Sequence, residues 1–248
     1  MIHRLLILVV LLVPLCGCSS ATRDESINVL IFTHTQGFRH DSIPAGTKAL
    51  HRLCFDAAYA CVSTEDASFF TAENLAQFRV IVFLNTTGDI LNDEQQRAFE
   101  NWFRTKDSFR GFVGIHSAAD TEYDWPFYQS MLGGHFTGHP PVQSAVVVCD
   151  DHTHPSTRHL PERWQRTDEW YNYAPNPRDS NAVILLTLDT NSYEGSTMPG
   201  DHPIAWCREI NGNRAFYTGG GHTIESFAEP MFLEHLAGGL RWAAHHDE

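Results

Sequence analysis

Short, uninterrupted apolar runs followed by helix-start signals mark the first half of the chain. Residues 28–33 and 80–84 are runs of this kind, and a strand without polar interruption is covered on both faces of its sheet. Between them, residues 42–44 (Ser-Ile-Pro) open a helix with an N-cap residue and an early proline. A strand, a helix and a second buried strand in succession begin a parallel sheet. The chain is therefore constrained to an α/β fold with helices on both faces of the sheet.

The same alternation continues through the first half of the chain. Two further strands, over residues 59–64 and 111–115, and two helices, over 42–57 and 92–104, are predicted from it. This order is typical of a three-layer, doubly wound domain with a mostly parallel sheet, as in flavodoxin-like folds.

The second half has a different pattern, with extra β-strands that follow one another through turns. Residues 211–213 (Asn-Gly-Asn) are a hairpin signal between two of them. A helix over 229–244 closes the domain, since its apolar side chains recur at helical spacing. The extra strands are predicted over residues 142–149, 164–173, 182–188, 204–210 and 215–218.

The N-terminus carries a targeting segment over residues 1–20. Arg4 supplies the positive charge, and the apolar run 5–15 is eleven residues long, too short to span a bilayer as a helix. The run leads into residues 15–18 (Leu-Cys-Gly-Cys), which resemble a bacterial lipoprotein box with Cys18 as the lipidated residue. An ordinary secretory signal is the alternative.

Both alternatives export the mature chain. Ser19, after the lipidated cysteine, favours the outer membrane facing the periplasm by analogy with known lipoproteins. The membrane is then a partner only through the lipid anchor. The predicted organisation is a signal peptide over residues 1–18, a short linker over 19–26 and one domain over 27–246.

The charge balance excludes one class of partner. The formal charge is −13 at pH 7, and removing residues 1–17 takes away one arginine and no acid, which gives −14. Nucleic acid carries charge of the same sign, so we expect no nucleic-acid partner.

Four cysteines follow the leader, and they either pair in one of three ways or remain buried thiols. These are Cys54, Cys61, Cys149 and Cys207.

Three of the fifteen histidines stand where apolar runs end in small residues. His34 follows residues 29–33, His116 lies within 114–118 (Gly-Ile-His-Ser-Ala), and His222 follows three glycines. In open α/β sheets the carboxyl ends of the strands form the crevice that binds ligands. Imidazoles there can bind a metal or move a proton near neutral pH, whereas a single histidine is more often a surface or packing group.

Two strand-to-helix turns carry further candidates. The loop over residues 32–42 places Arg39 and His40 next to a helix N-terminus, a position that suits an oxyanion or a polyol. The turn at 114–118 has the small flanks of a nucleophile elbow, but with histidine at the nucleophile position. Ser117 is the remaining nucleophile candidate there.

Polar and aromatic motifs follow in the second half. Residues 133–140 hold His139 directly before a proline in a glycine-rich loop. Residues 168–171 (Asp-Glu-Trp-Tyr) suit a sugar, because acids bind hydroxyls and aromatic rings stack on the apolar face. Strand alternation points only one of these two acids inward. A last motif, residues 202–206 (His-Pro-Ile-Ala-Trp), opens with a histidine.

In this order the motifs resemble the ThuA-like (trehalose utilisation) family, whose fold is a variant of the class I glutamine amidotransferase type. The resemblance covers residues 27–243. It is carried by residues 37–40 (Gly-Phe-Arg-His), 114–118, 139–140 (His-Pro), 168–171, 202–206 and 221–223 (Gly-His-Thr).

The resemblance implies a role in the use of trehalose and related disaccharides. It also implies oxidoreductases of the same pathway that make 3-keto sugars, and a metal in some members. His116 stands at the place of the amidotransferase cysteine, so glutaminase activity is not expected. Family membership fixes the fold better than the reaction.

We therefore predict a lipid-anchored, carbohydrate-active enzyme that acts on a disaccharide, glycoside or 3-keto sugar by hydrolysis, elimination or isomerisation. A saccharide is the expected ligand, and a sugar oxidoreductase of the same pathway is the expected partner. The predicted catalytic residues are His116, His222 and Glu169. A divalent metal, zinc or another transition ion, is expected at His34, His116, His139 and His222. Substrate binding is assigned to His40, Arg39, Asp168, Trp170, Tyr171, His202 and Ser117.

Two other functions fit the same residues. One is a saccharide-binding lipoprotein that catalyses nothing, which the aromatic residues alone would support. The other, weaker alternative is an amidase or esterase that uses Ser117 as nucleophile.

Overall fold

The computed structural model describes residues 27–106, 108–198 and 200–246. The predicted leader and linker, residues 1–26 with Cys18, lie outside the described residues. Among the helices described, none combines the length and the apolar character needed to cross a bilayer.

Strands and helices alternate through the first half of the domain, and strands dominate the second half. The strands are β1 (Asn28–Phe32), β2 (Ala60–Thr64), β3 (Val80–Leu84), β4 (Gly111–Ile115), β5 (His135–Gly138), β6 (Gln143–Cys149), β7 (Arg163–Asp168), β8 (Asn172–Ala174), β9 (Val183–Leu188), β10 (Pro203–Ile210) and β11 (Asn213–Thr218). The α-helices are α1 (Ile43–Asp56), α2 (Ala72–Leu75), α3 (Asp93–Arg104), α4 (Pro126–Leu132) and α5 (Pro230–Ala243). Short 3₁₀ helices lie at Ala67–Phe69, His116–Asp120, Pro177–Ser180 and Glu225–Ala228.

One sheet of nine strands carries the fold, in the order β2-β1-β3-β4-β11-β10-β9-β6-β7. From β2 to β11 the neighbours are parallel, and from β11 to β7 they are antiparallel. β5 and β8 form a separate two-stranded sheet. The prediction of an α/β domain with a large, mostly parallel sheet and extra strands in its second half is confirmed.

The core lies on both faces of the parallel strands. Phe83 of β3 points to the face covered by α3 and α4, where it contacts Phe99 and Tyr128. Its neighbour Leu84 points to the opposite face, against Gly46 of α1. Burial on both faces is the reason why these strands have no polar interruptions.

The sequence pattern missed two features of the second half. The strand predicted over residues 164–173 is two strands, β7 and β8, because the amide of Glu169 bonds the Asp168 carboxylate at 2.9 Å and leaves the ladder. Neither α4 nor β5 was predicted, since α4 has seven residues and β5 four, too few to show a clear period.

His235 is a histidine of the core, outside the loops that follow the strands. It lies on α5, is fully buried, and its ring nitrogens contact the carbonyl oxygen of Ser156 at 2.9 Å and the hydroxyl of Thr218 at 3.1 Å. Burial lowers the pKa of His235 to about 3. The folded chain therefore keeps this imidazole neutral at a pH where the unfolded chain protonates it.

We expect the stability of the protein to fall on acidification from pH 7 to pH 5. The pKa of His235 is lower in the folded chain than in the unfolded chain, where it is about 6.5. Below about pH 6.5 the unfolded chain therefore takes up a proton that the folded chain does not, which lowers the free energy of unfolding by about 2 kcal/mol at pH 5. Urea denaturation at the two pH values measures the difference, and His235→Gln should remove about 2 kcal/mol of it. His51→Gln, on the half-buried side of α1, is the control, and an unchanged pH dependence in His235→Gln would contradict the prediction.

Candidate active site

The carboxyl ends of the parallel strands meet at one edge of the sheet, and the loops that leave them carry three histidines. His40 lies in the loop after β1, His116 is the first residue after β4, and His222 lies in the loop after β11. Glu169 is the first residue after β7, in the antiparallel part. The four side chains converge, with one ligand atom from each within 4.8 Å of the others. We call these four residues the His/Glu cluster.

His116 sits at the base of the cluster in a left-handed turn. Its φ is 50°, which is uncommon outside glycine. The ring is fully buried, and its Nδ1 lies 2.8 Å from the carbonyl oxygen of Gly219. Because a carbonyl only accepts, Nδ1 carries the proton in the neutral ring, and Nε2 presents a lone pair to the site. The hydroxyl of Tyr217 donates to the His116 carbonyl oxygen at 2.8 Å and so holds the turn in place.

The lone pair of His116 faces a carboxylate. Nε2 lies 3.4 Å from Oε2 of Glu169 and 3.3 Å from Nδ1 of His222. The same His222 nitrogen lies 3.0 Å from the same Glu169 oxygen. Two acceptors this close repel each other unless a cation lies between them. A proton or a divalent metal ion satisfies this arrangement.

Burial and mutual charge set the protonation of the cluster. Burial, followed by the charges of His116 and His222, lowers the pKa of His40 to about 3, so this imidazole is neutral at pH 7. Burial alone would raise the pKa of Glu169, but the neighbouring imidazoles of His116 and His222 outweigh it and bring that pKa well below its ordinary value. Burial would lower the pKa of His222, but Glu169 outweighs it and raises that pKa. The cluster therefore combines an anionic carboxylate with imidazoles that can act as ligands.

A cavity of about 310 Å³ opens beside the cluster, within the size range of small-molecule sites. The ring centroid of Tyr171 lies 4.2 Å from that of Phe136, and Phe38, 66% exposed, stands at the mouth. His139, predicted as a metal ligand, lies outside the His/Glu cluster; its side chain is 39% exposed, and its Nδ1 lies 3.0 Å from Oε1 of Glu169. The lining residues are Phe38, His40, Asp120, Phe136, His139, Glu169, Tyr171 and His222.

Asp168 holds the loops of the site rather than facing the cavity. It is fully buried, and its carboxylate pairs with Arg166 at 3.1 Å. Its oxygens also accept from the backbone amides of Gly221 and His222, at 2.8 and 3.1 Å, and from the hydroxyl of Ser226 at 2.9 Å. One carboxylate thereby ties the end of β7, and so Glu169, to the loop that carries His222.

His202 acts in the same way on Tyr171. Its Nε2 donates to the carbonyl oxygen of Tyr171 at 2.7 Å, and its Nδ1 accepts from the hydroxyl of Tyr193 at 2.5 Å. Burial lowers the pKa of His202, which fits a neutral ring with one donor and one acceptor. His202, predicted to bind substrate, therefore positions the Tyr171 backbone instead.

The structure does not bring His34, predicted as a metal ligand, to the cluster. Its Nδ1 lies 2.9 Å from the carbonyl oxygen of Glu65, and its ring lines a different cavity. His40, predicted to bind substrate, occupies the place in the cluster. Both histidines lie in one loop, and the loop turns only the second of them towards β4 and β11.

Three further residues predicted to bind substrate lie away from the cavity. Arg39 is half exposed and pairs with Glu65, with 2.6 Å between Nη2 and Oε1. Trp170 is fully buried and donates from Nε1 to a backbone carbonyl at 2.9 Å. Ser117 is fully buried, 3.4 Å from Nδ1 of His40, and is not among the residues that line the cavity. This burial removes geometric support from the amidase or esterase alternative.

Sequence reasoning missed three residues that line the cavity. Phe38 lies inside the loop motif that also contains His40, and Phe136 lies in the glycine-rich loop before His139. Asp120 follows His116 by four residues at the end of the 3₁₀ helix. A polar residue one turn beyond a strand-end histidine was the signal that could have identified it.

Comparisons with known proteins place the chain in a family. A sequence profile described as ThuA, trehalose utilisation, matches residues 28–243. A ThuA-like protein from Bacteroides uniformis is 26% identical, with 90% of this chain and 94% of that chain covered and a TM-score of 0.75. A ThuA-like protein from Parabacteroides merdae shares the fold at 19% identity, covering 89% of this chain and 90% of that chain with a TM-score of 0.71. None of the curated proteins compared with the chain matches it.

A more distant structure shares the same architecture. The glutaminase domain of CTPS from Trypanosoma brucei is 8% identical, with 87% of this chain and 94% of that chain covered and a TM-score of 0.50. The fold is therefore that of an α/β protein of the class I glutamine amidotransferase-like type. The chain belongs to the ThuA family, which is linked to trehalose utilisation and so to carbohydrates, and the resemblance seen in its motifs is confirmed.

Replacing the buried carboxylate should loosen the site and the fold together. In Asp168→Asn, Arg166 loses a buried anionic partner, so we expect a loss of about 3 kcal/mol in the free energy of unfolding. Urea denaturation measures this loss. The control is Asp201→Asn, since Asp201 pairs with Arg178 at the surface, where a pair is worth less than about 1 kcal/mol. Equal effects of the two substitutions would show that Asp168 does not hold the loops.

Proposed function

We propose that this chain is a metal-dependent enzyme that acts on a disaccharide, glycoside or 3-keto sugar by hydrolysis, elimination or isomerisation. One observation carries the proposal: the lone pair of His116 Nε2 faces the Glu169 carboxylate at 3.4 Å beside an aromatic-walled cavity. Two buried acceptors that face each other favour a cation site, because burying them without a cation between them is energetically costly. The family's link to trehalose utilisation supports a saccharide as the ligand.

The donors of the His/Glu cluster fit a divalent transition ion such as zinc. Three imidazoles and one carboxylate are ligands that zinc and related ions prefer. Histidines that bind a metal usually donate their other ring N–H to a carbonyl or carboxylate, as His116 does to Gly219. A metal held there would polarise a substrate oxygen. The proposed ligands are His40, His116, Glu169 and His222.

The residues around the cavity suit a sugar ring. Phe38, Phe136 and Tyr171 offer aromatic surface on which the apolar face of a sugar can stack. His139, partly exposed and bonded to Glu169, is placed to bond a sugar hydroxyl. The chain's own residues thus bind and orient the sugar beside the cluster.

The proposed location follows the leader sequence. A lipid anchor at Cys18 would hold the protein at the outer membrane, facing the periplasm, where a sugar oxidoreductase would supply a 3-keto substrate. The aromatic cavity also fits a non-catalytic saccharide-binding lipoprotein. Sugar binding without turnover would favour that second function.

Metal content and its dependence on the cluster test the proposal. We expect about one zinc ion per chain by elemental analysis, and turnover of trehalose or 3-keto-trehalose that is lost on chelation and restored by zinc. His116→Ala and Glu169→Gln should weaken zinc binding by more than about 100-fold, since even the partners of metal ligands are worth roughly 10- to 100-fold. Titration calorimetry of the chelated protein measures this.

The matched control is His34→Ala. It removes a histidine of the same loop that lies outside the cluster, so zinc affinity should stay near the wild-type value. A wild-type chain without zinc affinity, or a His34→Ala variant that loses it, would contradict the proposed ligand set.

Phe38 should contribute to sugar affinity rather than to chemistry. Its exposed ring at the mouth of the cavity loses its stacking surface in Phe38→Ala, and we expect KM or Kd for 3-keto-trehalose to rise about 10-fold with little change in kcat. Phe38→Trp should retain affinity. Phe55→Ala, which truncates a 75% exposed ring on α1, is the control. Equal affinities of the two alanine variants would remove Phe38 from the binding site.

A further inference from the structure

The cavity wall carries two carboxylates in different surroundings. Both oxygens of Glu169 are engaged by imidazoles, those of the cluster and that of His139. Asp120 ends the 3₁₀ helix that begins at His116 and lines the same cavity. Its Oδ1 meets the hydroxyl of Tyr123 at 2.7 Å. Asp120 is therefore held by a neutral group, while Glu169 is committed to the cluster.

The Tyr123 hydroxyl can serve Asp120 in both protonation states. Its oxygen lies 2.7 Å from Oδ1 of Asp120 and 2.9 Å from the carbonyl oxygen of Phe136. A hydroxyl has one hydrogen, and a carbonyl only accepts. When Asp120 is ionised, Tyr123 donates to it. When Asp120 is protonated, it donates to Tyr123, which then donates to Phe136, so the carboxyl group keeps its position.

Burial also favours the protonated form of Asp120. It raises the pKa of Asp120, against the Tyr123 hydrogen bond and the charges of His116 and His139, which lower it. Glu169 is bonded to imidazoles through both of its oxygens. Asp120 is therefore the carboxylate of the cavity wall that is suited to gain and lose a proton.

We propose that Asp120 takes a proton from the substrate and returns it when that substrate is the keto sugar of the proposed function. This inference rests on the proposed function. The Asp120 carboxylate takes the proton of a C–H bond next to the carbonyl, and the electron pair of that bond stays on the substrate as an enolate. The Asp120 carboxylic acid then gives the proton back to carbon or to a departing glycosidic oxygen. The step needs no oxidant or reductant.

A single uncommitted carboxylate suits a keto sugar. Hydrolysis of an ordinary glycoside commonly uses two carboxylates that flank the scissile bond. Here the second carboxylate, Glu169, is bonded to imidazoles through both oxygens. A carbonyl acidifies the neighbouring C–H bond, so one positioned base is enough.

Deuterium exchange tests the role of Asp120. The zinc-loaded protein is incubated in D₂O with 3-keto-trehalose and 3-keto-sucrose. NMR and mass spectrometry measure two rates: the incorporation of deuterium at the carbon next to the carbonyl, and the formation of product. Asp120→Asn should lower both rates by about 100-fold or more, the usual contribution of a positioned acid or base. Its zinc affinity should stay at the wild-type value, which shows that the fold and the cluster are intact. Asp124→Asn, at an exposed carboxylate four residues further along, is the matched control and should keep both rates.

Tyr123→Phe tests the role of Asp120 through the pH dependence of the rate, which would not change if Asp120 had only a structural role. It removes the hydrogen bond that lowers the pKa of Asp120, so the acidic limb of the pH–rate profile should shift to higher pH. The rate at high pH should change by only a few-fold.

The outcomes separate the two proposals. A wild-type protein that turns over trehalose but neither exchanges nor converts either keto sugar overturns the role of Asp120 alone, and one that acts on none of these sugars overturns the proposed function as well. An active wild type with an equally active Asp120→Asn variant overturns the role of Asp120 alone. Loss of exchange in Asp120→Asn with zinc affinity retained supports both.

Discussion

The buried Asp168 carboxylate is the constraint on which the candidate site depends. A buried charge is costly unless it is paired and hydrogen-bonded, and Asp168 meets this cost with Arg166, Ser226 and two backbone amides of the loop after β11. β7 lies at the antiparallel edge of the sheet, whereas β11 belongs to the parallel part. The carboxylate therefore joins the two halves of the sheet at the point where Glu169 and His222 enter the site.

The orientation of the His116 ring is a second constraint, inside the site itself. The Gly219 carbonyl fixes the proton of His116 on Nδ1, which turns the Nε2 lone pair towards Glu169. Within the described residues this is where three imidazoles and a carboxylate come together. The cluster has the donor atoms that could hold a metal ion, and aromatic side chains line the cavity beside it. Asp120 stands apart on a neutral partner, free to change its protonation state.

Much of the fold follows from local pattern. The runs that form β1, β3 and β4 are buried on both faces, so their sequences are continuously apolar and easy to read. β7 is predicted as well, but its end is not: the predicted strand runs on to residue 173, because no local pattern shows that the Glu169 amide bonds the Asp168 carboxylate. The short elements α4 and β5 have too few residues for a period to emerge.

For this protein the sequence by itself determined the α/β class, the family and the residue types at the strand ends, because these depend on periodicity and on motifs that are local in the chain. Strands precede His116, His222 and Glu169 in the chain. The end of a strand fixes the position of the backbone from which such a side chain extends. Only the tertiary structure decided which loop residues share the cavity. The loop after β1 turns His40 towards the cluster, while His34 and Arg39 turn to Glu65, about thirty residues away in sequence. Side chains on loops take their direction from such distant partners, and no local pattern encodes those contacts.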